Sequence, residues 1–335
     1  MKRVTLDDVA SLVNVSPITV SRALRRPEAV SAPLRARIQA AVKKLGYVPN
    51  IAASRLASGR THLVGVVVPT LYNVIFAEYL LALHEVLNPA GFQISVLNSH
   101  YSEIDEEAAV RALIGQRVEG IVVAGVEHTR LTRRLLAKSR IPVIETLELA
   151  EEPLGLNIGL SQEDAAGAAV SHLIETGRRR IAFFAGELDN RALARLDGFR
   201  RAMAAAGLEA EATVTQISQS SSIHLGSTLF AKHLEEGGPA EGIFCIDDNL
   251  ALGAMQACRK SGLQVPQDVA IVGFHDLEFA ACLSPSLSSV KTRRYETGRL
   301  AAERLVEALK GGKTFARERI DLGFTLAPRE STVSN

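Results

Sequence analysis

Along the first fifty residues the apolar positions recur at helical spacing, and each run opens on a capping residue. Leu6, Val9, Ala10 and Val13 form one stripe. Thr5 suits its N-cap, Asp8 completes a shortened capping box, and Val4 is placed to staple onto Val9. Val15-Ser16-Pro17 opens a second helix: Ser16 fits the N-cap, Pro17 the first helical position, and Val15 can pack on Val20. A turn of about two residues forces steep crossing, as in a helix-turn-helix. Ser31 is expected to cap a third helix through Leu34, Ile38, Ala41, Val42 and Leu45, stopped by Gly46. Asn50 can cap a further helix of about eight residues ended by Gly59, too short to hold in water without a partner.

From Leu63 the period changes. LVGVVVP (63–69), FQISVLN (92–98), EGIVVAG (119–125) and IPVIET (141–146) read as strands, with amphipathic segments near 74–90, 103–117 and 129–139 between them. A second series follows in RRIAFFAG (179–186), a strand near 213–217, EGIFCID (241–247) and VAIVGF (269–274). Alternation of this kind builds parallel sheets covered by helices. The expected fold is an all-α helix-turn-helix head with a hinge helix, then an α/β core of two similar lobes. A small molecule would sit between the lobes, beyond the C-terminal ends of the strands.

A chain of 335 residues is long enough for about two or three folded units. Its 47% hydrophobic and 22% charged residues exclude a disordered or collagen-like chain. No apolar run approaches the roughly 18 residues of a membrane helix, and MKRVTLDDVA places acids where a signal peptide needs apolar residues, so a cytoplasmic protein without a membrane partner is expected. Cys245, Cys258 and Cys282 have no metal-binding or disulfide spacing and read as core filler. No phosphate-binding glycine loop, GxSxG elbow or His pair at i, i+4 is present, so neither catalysis nor a cofactor nor a metal is expected. A sugar-modifying enzyme is only a remote alternative.

The net charge of +1 conceals a division. Residues 1–60 carry 11 Lys or Arg against three acids, whereas the other 275 carry 27 basic and 34 acidic residues. A basic head on an acidic body is a nucleic-acid signature. The second helix of such a head enters the major groove, which brings Pro17, Ile18, Ser21 and Arg22 to base edges. Arg22 can grip guanine O6 and N7, and Ile18 can touch a thymine methyl. Thr5, Ser16, Thr19, Ser31, Lys2, Arg25 and Arg26 are placed for phosphate.

VTLDDVASLVNVSPITVSRAL, VSAPLRARIQAAVKKLGYVPN and the following ASRLAS together resemble the DNA-binding head and hinge of lac-repressor family regulators, and the likeness runs through nearly the whole chain. The resemblance implies a DNA-binding domain at 1–48, a hinge at 49–60 and a core at 61–335, with lobe one about 61–158 and 291–321 and lobe two about 159–290 and 322–335. It implies two hinge helices paired in the minor groove of a pseudo-palindromic operator, where Leu56 wedges a base step open beside Asn50, Ala53 and Arg55. Pro17 and Ile18 stand where some members carry longer polar side chains, so the operator bases stay open. A homodimer follows from the paired hinge, and no leucine heptad after Leu326 supports a tail-assembled tetramer.

The same resemblance makes the core similar to periplasmic sugar-binding proteins. Cleft candidates are Tyr72, Asn73, Phe76, His100, Tyr101, His128 and Glu145 from lobe one, and Arg191, Arg195, Ser220, Ser221, Ser222, Asp247 and His275 from lobe two. Arg195 matches the family's sugar-binding arginine, Asp247 stands in place of an asparagine, and His275 in place of an acid. Arg191, Arg195, His128 and His275 are expected to make the cleft positive, as a carboxylated ligand needs. Asp248 is read as the cap of the helix that follows it. PTLYNVIFAE, EHT, IPVIE, SSS, GFHD and LGFTLAP look like the gluconate-repressor branch. That implies a sugar acid such as gluconate or 2-ketogluconate as effector, relieving operator binding. A neutral or phosphorylated sugar, or a corepressor, remains an alternative.

Overall fold

The computed structural model describes residues 4–48, 60–238 and 240–333, as two compact units divided between Thr61 and His62. Among its described residues the first unit contains three α-helices: α1 (Leu6–Val13), α2 (Pro17–Arg25) and α3 (Ala32–Leu45). The capping box at α1 is formed, with Thr5 N donating to Asp8 Oδ2 at 2.8 Å and Asp8 N to Thr5 Oγ1 at 3.3 Å. Asn14 takes the left-handed conformation that ends α1, and Ser16 accepts from Thr19 N to open α2. Ser31 does occupy the N-cap position of α3, but its side chain makes no capping bond. Val9, Ala10, Val13, Val20, Ala23, Ile38 and Ala41 close the small core. Arg37, from α3, donates to Val13 O at 2.9 Å and so satisfies one of the carbonyls that a helix end leaves open.

The second unit contains two six-stranded sheets. The first runs β11-β5-β4-β3-β1-β2 and is parallel throughout, with β1 at Leu63–Val68, β2 at Gln93–Asn98, β3 at Gly120–Ala124, β4 at Val143–Thr146, β5 at Leu156–Gly159 and β11 at Glu318–Asp321. The second runs β12-β10-β9-β8-β6-β7, with β6 at Ile181–Ala185, β7 at Ala212–Gln216, β8 at Gly242–Cys245, β9 at Ala270–His275, β10 at Ser288–Thr292 and β12 at Phe324–Ala327. Among the described residues only β12 is antiparallel to its neighbour. The apolar runs are strands because both faces are covered. On β1, Val64, Val66 and Val68 pack beneath α4 (Ile75–Leu87) and α11 (Arg294–Gly311). Leu63 and Val67 pack on the opposite face, with α5 (Glu103–Gly115) and α6 (Arg130–Ser139).

Lobe two is covered by α7 (Gln162–Glu175), α8 (Asn190–Ala205), α9 (Ile223–Gly237) and α10 (Asp248–Lys260). Phe183, Phe244 and Phe274 step through its core at centroid separations of 5.7 and 6.3 Å. Helices α9 and α10 cross where both lack a Cβ: one added at Gly253 would lie 1.9 Å from Ile223 O, and one at Gly226 2.1 Å from Leu250 O. The chain passes between the sheets after β5, after β10 and between β11 and β12.

Strands β5, β10, β11 and β12 are absent from the sequence reading. Each has only four or five residues, and β10 and β11 carry polar or charged residues at most positions, so no long apolar run announces them. Cys245 and Cys258 fill the core as expected, but Cys282 is exposed. Among the described residues no helix is long and apolar enough to cross a membrane.

Candidate functional site

Parallel sheets collect loops at the C-terminal ends of their strands, and here those of the two lobes enclose a cavity of about 220 Å³. That is below the range for drug-sized ligands and suits a small molecule. Thr70, Tyr72 and Asn73 follow β1, and Tyr101 follows β2. Glu187, Asp189, Arg191 and Arg195 follow β6, Ser220 and Ser221 follow β7, Asp247 follows β8, and His275 ends β9. His275 and Asp276 take φ of 102° and 53°, costly for residues with a Cβ. Asp276 N donates to Ser289 Oγ, and Arg294 Nη1 to His275 O, which hold the bend.

The arginines stand in different surroundings. Arg191 Nε lies 3.4 Å from Glu148 Oε1 and 3.9 Å from Asp189 Oδ2, and its guanidinium is 5.8 Å from the ring centres of Phe76 and Tyr101. Arg195 lies 3.9 Å over the Phe274 ring and donates from Nε to Gln162 Oε1 and from Nη1 to Ile246 O. Burial lowers the Arg195 pKa to about 10, which still leaves it charged at neutral pH. Asp247 caps α10 through Leu250 N, and burial raises its pKa. Ser221 Oγ is buried close to the Asp247 carboxylate, which its hydroxyl helps to keep charged, and it makes no other contact of hydrogen-bonding geometry.

Several expectations are corrected. His128 and Glu145 do not line the cavity: Glu145 lies within β4, and His128 pairs with it at 3.3 Å and with Glu106 at 2.6 Å, all three buried. Phe76 is buried in α4 and meets the site through Arg191. His100 is exposed and faces Asp105 at 3.3 Å. His275 is no cation, because burial, then Arg195, Arg294 and Arg191, push its pKa well down. The cap of α10 is Asp247 and not Asp248, whose buried carboxylate accepts from Ser289 Oγ at 2.6 Å and Leu277 N at 2.7 Å. Thr70, Glu187, Asp189, Glu148 and Gln162 are absent from the sequence reading; Glu148 and Gln162 take their role from contacts across the lobes, to Arg191 and Leu147 O, that no local motif marks.

His128 carries a pH prediction. Burial lowers its pKa, but hydrogen bonds and charge from Glu106 and Glu145 outweigh it and raise the value to about 9 from 6.5. A raised folded pKa gives stability that is complete below the unfolded value and lost as pH rises through the folded one. The melting temperature should therefore fall between pH 7 and 9.5, and this component should vanish in His128→Gln, as read by calorimetry across that range.

On the head, α2 presents Ile18, which is 70% exposed, beside the exposed Arg22, with Pro17 and Ser21 half-buried. Thr19 Oγ1 lies 2.9 Å from Ser16 Oγ, and Thr5 Oγ1 donates to Asp8. Ser31 is exposed at the start of α3. Lys2, the Arg25 side chain and the hinge residues Asn50, Ala53, Arg55 and Leu56 lie outside the described residues.

Known proteins agree on both units. A family model described as bacterial regulatory proteins, lacI family, matches residues 5–50, and one described as a periplasmic binding protein-like domain matches 170–332. The HTH-type transcriptional regulator GntR of Pseudomonas aeruginosa is 41% identical over 98% of this chain and 96% of its own. A LacI-family transcriptional regulator from Silicibacter pomeroyi superposes with a TM-score of 0.91 at 31% identity, covering 98% and 99% of the two chains. The lac repressor dimer bound to operator and the anti-inducer ONPF superposes with a TM-score of 0.84 at 27% identity, over 99% of this chain and all of that one.

Proposed function

Because the chain belongs to the lacI family of bacterial regulatory proteins and is a DNA-binding transcriptional regulator, not an enzyme, we propose that it represses transcription until a sugar acid fills its cleft. The carrying observation is Arg195, a buried guanidinium aimed at the cavity with only neutral oxygen partners. A ligand carboxylate would complete it, while Asp247, Ser221 and Glu187 suit the hydroxyls. The gluconate-branch motifs support the same class. Calorimetric titration with gluconate, 2-ketogluconate, their 6-phosphates and glucose tests this reading, and tight binding of glucose alone sinks it.

Two heads on a homodimer would grip the half-sites of a pseudo-palindromic operator. Linkage requires operator to weaken effector binding by the factor with which effector weakens operator binding. Equal effector affinity with and without operator would eliminate the coupling.

Base reading is assigned to Arg22 and Ile18. Arg22→Ala should cost about 1–3 kcal/mol on the preferred operator and relax the preference at one base pair. Ile18→Ala should relax preference at a neighbouring pair by less. Binding measured on a set of single-base operator variants checks both, and a uniform loss across the set removes the assignment.

A further inference from the structure

We propose that Gln162 is a specificity-determining residue: its neutral amide fixes one edge of the Arg195 guanidinium and leaves that charge for a single ligand carboxylate. This rests on the sugar-acid reading and adds the residue that enforces it.

The two cavity arginines divide the work. Arg191 is already answered by Glu148 and Asp189 and lies near two lobe-one rings, so its charge is spent inside the protein and its position ties α8 to lobe one. Arg195, 5% exposed, has two oxygen partners, Gln162 Oε1 at 2.9 Å and Ile246 O at 2.7 Å, both neutral. Among the described residues it forms no ion pair with a carboxylate. A buried cation with no carboxylate in direct contact is costly, since Asp189, Asp247 and Glu148 act on it only at longer range, and a ligand carboxylate that pairs with it offsets that cost.

Gln162 opens α7 just after the first passage between the lobes and is 7% exposed. Its Nε2 donates to Leu147 O at 3.0 Å, on the lobe-one side, while its Oε1 accepts from Arg195 on the other. These roles cannot be exchanged, since a guanidinium only donates and a carbonyl only accepts, so the amide orientation is settled by its neighbours. Glutamate has the same shape but would place a carboxylate on Arg195 and lose the donor to Leu147 O. Position 162 therefore sets whether the site keeps an unspent positive charge.

The test compares gluconate with gluconamide, its uncharged amide, by calorimetry. In the wild type gluconate should bind at least ~30-fold more tightly. In Gln162→Glu that ratio should fall to about one, whereas in Gln162→Met, which loses both bonds but adds no charge, it should stay above roughly 10 even where both affinities drop. A ratio near one in the wild type overturns the proposal without any variant having to fold. An undiminished ratio in Gln162→Glu, or equal collapse in Gln162→Met, overturns it too. Wild type that takes glucose but neither probe removes the sugar-acid reading and this proposal with it. Selective binding of gluconate with unchanged ratios in the variants removes this proposal alone.

Discussion

Arg195→Ala should weaken gluconate binding by at least ~30-fold. Truncating one partner of a buried, hydrogen-bonded charge pair costs about 2–5 kcal/mol, and each 1.4 kcal/mol is tenfold in affinity. The variant also strands Gln162 Oε1 and Ile246 O, which lose their donor in a buried setting. Arg195→Lys should recover only part of the affinity, because an ammonium keeps the charge but cannot reach both oxygens and lie flat on Phe274. Melting with and without gluconate separates the effects: instability appears in both scans, lost binding only as a missing ligand-induced rise. If Arg195→Ala retains the full rise, the carboxylate is held elsewhere.

His128→Leu should be the most destabilising single change considered. It leaves the Glu106 and Glu145 carboxylates facing an apolar side chain, and removal of one partner from a buried ionic group costs about 3–5 kcal/mol. For folded units of this size that corresponds to a fall in melting temperature of roughly 6–20 °C. Glu145 keeps its bond from Leu154 N at 2.6 Å, but Glu106 has no comparable second anchor among the hydrogen bonds of the described residues. The loss should shrink at pH 5, where the stranded carboxylates can take up protons. A cost below about 1 kcal/mol at neutral pH would show that the three groups are not coupled as their distances imply.

The parts of the molecule that depend on nearby residues were legible in the sequence. Thr5 with Asp8 and Ser16 with Pro17 declare two helix starts within a few positions, and the valine runs of β1 and β3 declare strands buried on both faces. Arg195, Asp247 and Ser221 reach the cavity because strand ends could be located. What failed was long-range. Nothing beside Glu145 shows that His128 turns toward it, and nothing beside His275 shows that burial, reinforced by three arginines, holds its ring neutral. Glu148 and Arg191, 43 positions apart, meet only because two sheets face each other. Charge counted by residue type therefore gave the cleft four cations, where pairing and burial leave two guanidinium groups and one unspent charge.

Strands β11 and β12 are joined by two residues, Leu322 and Gly323, yet they belong to different sheets. One extends sheet one beyond β5 and the other closes sheet two against β10. Synthesis therefore cannot finish the lobes in turn. Until residues 318–327 have emerged, a growing chain carries two open strand edges, β5 and β10, each able to pair with a neighbouring chain. The short ribbon at 318–327 covers both edges at once and leaves β11 and β12 as the outer strands of their sheets, so the two lobes complete these sides in a single step.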